Sequence, residues 1–90
     1  MEKYIVYDKS TRKVIKEFLS LRFAILFRES MDDYYKTEIR VQEIKENCFI
    51  YDDELSIVKY FNTLEEAKEY KMKHGNQHCW DIAYRKNQNI

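Results

Sequence analysis

A short stretch of this chain is written twice, and the second writing constrains the fold more than any single residue does. Phe18-Leu19-Ser20-Leu21-Arg22-Phe23-Ala24 is followed, 43 positions on, by Phe61-Asn62-Thr63-Leu64-Glu65-Glu66-Ala67. In each copy a hydroxyl residue stands just before an apolar pattern of helical period. Its side-chain oxygen is placed there to accept from an unpaired amide of the first turn. Thr63 and Glu66 add capping-box spacing. The preceding Phe closes a strand-like run, so the unit reads as strand, tight junction, helix.

The correspondence continues on both sides. At the same offset Val14-Ile15-Lys16 aligns with Ile57-Val58-Lys59, Phe27 with Tyr70, Ile39 with Ile82 and Val41 with Tyr84. Upstream, Ile5-Val6-Tyr7-Asp8 aligns with Phe49-Ile50-Tyr51-Asp52 at an offset of 44, as one extra residue in the first hairpin turn would produce. Ordinary strand and capping chemistry can generate one such match by convergence. Agreement over several successive elements favours repetition.

The expected fold class is therefore α+β: two tandem β-β-α-β units related by a pseudo-twofold axis, antiparallel sheet with two helices packed on it, and the third strand of each unit beside its first. A ferredoxin-like order with one strand left over is the rival frame. The expected organisation is one domain over residues 1–90, with a first unit at 3–44, a second at 48–86, and Lys45-Glu46-Asn47 as the junction.

Composition narrows the function classes. Ninety residues suit one domain that buries about two thirds of its unfolded surface, with little room for an elaborate active site. Sixteen acidic and sixteen basic side chains cancel, so no overall field draws the chain to nucleic acid or an anionic membrane. The absence of Pro and the single Gly predict continuous regular structure joined by short polar turns. No apolar run approaches the roughly 20 residues of a membrane span, and Met1-Glu2-Lys3-Tyr4 leads into a strand rather than a signal peptide. A cytoplasmic location is expected, with Cys48 and Cys79 as free thiols.

Along the chain, strands are expected at 3–8 and 13–18 around the cationic turn Lys9-Ser10-Thr11-Arg12, and a helix from Leu21 to Tyr35. Strands follow at 37–44, 48–52 and 55–61, with Asp52-Asp53-Glu54 as an acidic turn. A second helix over 64–74 is stopped by Gly75, and a last strand spans 79–85. Asp32 and Asp33 oppose the dipole of the first helix, so its end is expected to fray or bend. That helix carries more apolar residues than one face can hold. Leu21, Ala24, Ile25 and Met31 form one stripe, and Phe23, Phe27 and Tyr34, with Leu26 beside them, form another. The second helix has Glu66, Lys68 and Glu69 where the first has Phe23, Ile25 and Leu26. Phe23, Leu26, Phe27 and Tyr34 are thus the candidate partner-binding residues. The competing account packs the first helix centrally, between sheet and second helix.

No constellation reaches a chemical signature. His74, His78 and Cys79 are the nearest approach to a metal set, but Gly75 interrupts the helix that would align the two imidazoles. Asp52-Asp53-Glu54 lacks the glycine and distributed oxygens of a calcium loop. Cys79 follows His78 directly in an expected strand, where neighbouring side chains diverge. No Gly-rich phosphate loop is present. The chain is accordingly expected to be non-enzymatic, with no cofactor and no metal. Eight tyrosines offer amphipathic recognition surface.

The expected function is a protein–protein interaction module, its partner another protein or a second copy of the chain. In size and in its Lys/Tyr/Glu/Asn-rich composition it resembles the short accessory proteins of phages and mobile elements. That resemblance implies binding and modulation of a host protein. Nucleic-acid binding by Lys9, Arg12, Lys13 and Arg40 beside a tyrosine-bearing sheet is the alternative.

Overall fold

The computed structural model describes residues 1–76 and 78–85 of the chain. The fold is α+β, with two antiparallel three-stranded sheets and two helices. The chain divides into two compact units, the first Met1–Ile44 with Glu54–Ser56, the second Lys45–Asp53 with the chain from Ile57 on.

Unit 1 begins with β1 (Glu2–Asp8) and β2 (Val14–Phe18), continues into α1 (Leu21–Glu29), passes a 3₁₀ turn at Tyr34–Lys36 and ends with β3 (Thr37–Glu43). The sheet order is β2-β1-β3, so the third strand lies beside the first. Alternation along β1 sends Tyr4 and Val6 to the helix side, where Val6, Phe18 and Ala24 form the core with Tyr4, Phe23, Phe27 and Ile39 packed around them. Lys3, Ile5 and Tyr7 take the other face; Lys3 is 6% exposed and its ammonium lies 3.3 Å from both carboxylate oxygens of Glu17. A bulge at Val6/Tyr7 shifts the β1–β2 register before the turn. The turn is organised by Asp8, whose Oδ1 accepts from the Ser10 and Thr11 amides and the Ser10 hydroxyl. It closes with Arg12 at φ 64°, a left-handed conformation rare outside glycine. Glu54–Ser56 complete the unit: Ser56 bridges Phe18, and the Leu19 amide donates to the Leu55 carbonyl at 2.8 Å.

The first helix is shorter than the expected 21–35. It starts at the Ser20 cap, as the sequence predicts, but ends at Glu29. The Ser30 amide is shared between the Leu26 and Phe27 carbonyls, and its hydroxyl donates to the Phe27 carbonyl at 2.6 Å. That tightens the last turn. Asp32 and Asp33 then fall in a turn, clear of the helix whose negative end they would have repelled.

Unit 2 comprises β4 (Cys48–Tyr51), β5 (Ile57–Phe61), α2 (Leu64–His74) and β6 (Asp81–Tyr84), in sheet order β5-β4-β6. Cys48, Ile50, Phe61 and Ala67 are its core, with Leu64, Tyr70, Trp80 and Ile82 packed against them. Thr63 caps α2 by accepting from the Glu66 amide, while its hydroxyl donates to the Glu66 carboxylate. Gly75 caps the helix end, its amide donating to the Lys71 carbonyl at 2.8 Å, and a Cβ there would meet that oxygen at 2.6 Å, so the position suits glycine. A bulge falls at Ile50/Tyr51, and Leu55 has φ 59°. The single four-stranded sheet of a ferredoxin-like order does not occur among the described residues.

Candidate functional site

Three of the four candidate partner-binding residues lie on α1 and meet in one place. Phe23, Leu26 and Phe27, at i, i+3 and i+4, line a concavity of about 210 Å³ together with Lys16 and Phe18 of β2, Ser30 and Glu54. Its floor is aromatic: the Phe18 and Phe27 rings lie 5.5 Å apart. The ammonium of Lys16 sits 5.0 Å from the Phe27 ring centre and 5.6 Å from that of Phe18. Lys16 so spreads its methylenes over apolar surface with its charge held to the ring faces. Phe23 and Phe27 serve the core and the rim together, whereas Leu26 is 51% exposed.

Tyr34 stands apart from this group, in the 3₁₀ turn, with its ring edge-on to Tyr35 and the Arg28 guanidinium 5.7 Å from its centre. Arg28 also donates from Nε to the Thr37 carbonyl and hydroxyl, tying α1 to the start of β3. The second exposed flank of α1 carries Leu21 and Ile25.

Unit 2 holds a concavity of about 420 Å³, six of whose lining residues stand 43 positions after lining residues of the α1 concavity. Lys59 and Phe61 replace Lys16 and Phe18, Tyr70 replaces Phe27, and Glu66, Glu69 and Lys73 replace Phe23, Leu26 and Ser30. The floor repeats closely: Phe61 and Tyr70 rings at 5.4 Å, with Lys59 5.8 Å from the first and 4.7 Å from the second. The rim does not. It is charged, and Lys73 donates to Glu69 at 2.9 Å, holding that carboxylate below its usual range.

The basic set is divided. Lys9, Arg12 and Lys13 are exposed at the β1–β2 turn, while Arg40 lies on β3 over the Tyr7 ring at 5.3 Å. Acidic groups accompany both: Asp8 within the turn, its carboxyl drawn to about 2 by the Thr11 and Ser10 bonds, and Glu38, which accepts from the Tyr7 hydroxyl at 3.0 Å. Tyr34, Tyr35 and Tyr84 are exposed, and the other described tyrosines are half-buried.

The imidazoles of the tested metal set pack on aromatic rings. His74 lies 4.5 Å from Tyr70, and His78 stacks on Trp80 at 4.8 Å. Among the described residues no group of three acidic, His or Cys side chains is placed to hold a metal. Cys48 is fully buried, its thiol pushed up by burial and by Glu65, and Cys79 is exposed.

Lys16, Phe18 and Ser30 were not singled out from sequence as part of a site. The signal for two of them was present, since Lys16/Lys59, Phe18/Phe61 and the aromatic pair Phe27/Tyr70 all recur at one offset. No described helix is long and apolar enough to cross a membrane. Compared with known proteins, the chain matches no family model, no curated sequence and no solved structure.

Proposed function

We propose that the chain is a non-catalytic protein-binding module whose contact surface is the α1 groove, where a partner's bulky apolar side chain seats against Phe23, Leu26 and Phe27. One comparison carries this reading. The same floor of lysine over two rings exists in unit 2 beneath a charged rim of Glu66, Glu69 and Lys73, so this local architecture does not need an apolar rim. Leu26, 51% exposed and outside the core that Phe23 and Phe27 help to fill, is then surplus to folding, and surplus exposed apolar surface is the usual mark of an interface. Modulation of a host protein by a small phage-type accessory protein is the concrete form of this function.

The internal correspondence is, we infer, a duplicated β-β-α-β unit. Supporting it are the bulges at Val6/Tyr7 and Ile50/Tyr51, the left-handed residues Arg12 and Leu55, the caps Ser20 and Thr63, and the fully buried Ala24 and Ala67. Duplication followed by divergence of one rim gives a second groove free to acquire a partner.

The test is a tagged pull-down from nuclease-treated bacterial lysate across a salt series, beside Leu26→Glu, which imports the residue type of the matched Glu69. A protein retained at high salt by the wild type and lost by a folded Leu26→Glu variant supports the groove. Retention by both variants would remove α1 from the interface. Partners that are only nuclease-sensitive and salt-labile would put nucleic acid first, through Lys9, Arg12, Lys13 and Arg40.

A further inference from the structure

Sheet edges present unpaired backbone groups, and proteins usually blunt them with bulges, short strands or covering segments. In this chain β2 and β5 each pair through a bulge, and β6 is four residues long. β3 differs. It runs seven residues in unbroken register with β1, and no other described strand pairs with its outer side.

The register fixes which groups face outward. In an antiparallel ladder, alternate residues turn both N–H and C=O to the same neighbour. The Lys9 amide donates to the Lys36 carbonyl and the Ile44 amide to the Met1 carbonyl, so even-numbered residues of this segment face β1. Thr37, Ile39, Val41 and Glu43 therefore point their backbone groups away from the sheet. Thr37 is already occupied, since its amide goes to the Tyr34 carbonyl and its own carbonyl accepts from Arg28 at 3.1 Å. The open stretch is Ile39 to Glu43, and its centre is Val41, 54% exposed.

We propose that β3 is a homodimerisation edge, pairing antiparallel with β3 of a second copy about a twofold axis at Val41. This register alone uses the whole open stretch against itself. Ile39 faces Glu43 of the other copy, Val41 faces Val41, and up to about six backbone hydrogen bonds form, two for each closely spaced pair. On the helix side two exposed valines meet. On the other side Arg40 faces Gln42 of the second copy, so no like charges stand directly opposite. Moving the axis to Arg40 would set guanidinium against guanidinium. The charges that usually guard an edge are drawn back onto their own sheet here: Arg40 lies over Tyr7, Glu38 accepts from the Tyr7 hydroxyl, and the Glu43 carboxylate bonds the N-terminal amine at 3.0 Å.

Sedimentation equilibrium on the full chain up to about 1 mM, the range of weak association, reads the mass directly. A rise toward twice the monomer mass is expected. Val41→Pro removes one outward amide that bonds nothing within the sheet, and Pro is tolerated on edges; it should return the chain to monomer with an unchanged circular-dichroism spectrum. Gln42→Glu, which sets a carboxylate opposite Arg40, should tighten the dimer by about tenfold or less. Leu26→Glu should leave it unaltered. Hydrogen exchange on the wild type asks the same question without substitution: the amides of Ile39, Val41 and Glu43 should gain protection with concentration, while that of Arg40 stays protected throughout. A wild-type chain monomeric at about 1 mM, a dimer indifferent to Val41→Pro or weakened by Gln42→Glu, or outward amides insensitive to concentration would each overturn the proposal.

Discussion

Asp8 illustrates how one side chain can set a turn. Its carboxylate accepts three hydrogen bonds from Ser10 and Thr11, which favour the charged form and lower its pKa from 3.8 to about 2. A depressed folded-state value means the stabilisation is complete above the unfolded value near 4 and is lost as pH falls through about 2. Asp8→Ala should therefore lower the melting temperature at neutral pH, with the gap to wild type closing below about pH 3. Carboxyl NMR titration of the wild type should place the Asp8 midpoint near 2. Arg12, four residues on, holds a left-handed backbone at an exposed position. Such a conformation costs a non-glycine residue about 1–2 kcal/mol, part of which glycine returns through its freer unfolded chain. Arg12→Gly should stabilise by about 0.5 kcal/mol, seen as a rise of about 2–4 °C in thermal melts. If nucleic acid were the ligand, the same substitution should weaken it.

Helices show where the sequence was readable and where it was not. The α2 bounds of 64–74 follow from the Thr63 cap and the Gly75 stop, both local chemistry. The α1 start at Leu21 was equally legible from Ser20. Its end was not, because Met31, Tyr34 and Tyr35 continue an apolar pattern while the turn is made by Ser30 and held by bonds to residues brought near only by folding, Arg28 to Thr37 among them. The double role of Phe23 and Phe27 was hidden for a related reason. Apolar spacing locates a stripe but does not say which of its members reach the core. Ala24 and Ala67 are each fully buried in the core of their unit. Ala67→Leu should overpack α2 against Cys48, Ile50 and Phe61 and cost about 1–3 kcal/mol in denaturant unfolding, and Ala24→Leu should behave alike in unit 1.

Across the whole molecule, the chain changes unit three times, after Ile44, Asp53 and Ser56. The junction at 45–47 is the only short polar boundary visible in the sequence, and nothing in the residues of the β4–β5 turn announces that Glu54–Ser56 belong with the first unit. Backbone contacts, the Leu19 amide to the Leu55 carbonyl and the bridge of Phe18 with Ser56, tie this segment to the first unit, and such contacts leave no pattern in the sequence. A fragment ending at Ile44 should thus show a rapidly exchanging Leu19 amide, measured by hydrogen exchange, whereas the full chain protects it. Adding the fragment that starts at Lys45 should restore that protection, since it returns the missing carbonyl. Interlaced connectivity of this kind makes a peptide break at residue 45 unequal in its effect: the second half keeps its own unit, whereas the first lacks Glu54–Ser56 until the second supplies them, so a split reporter built there would signal only when both are present in the same cell.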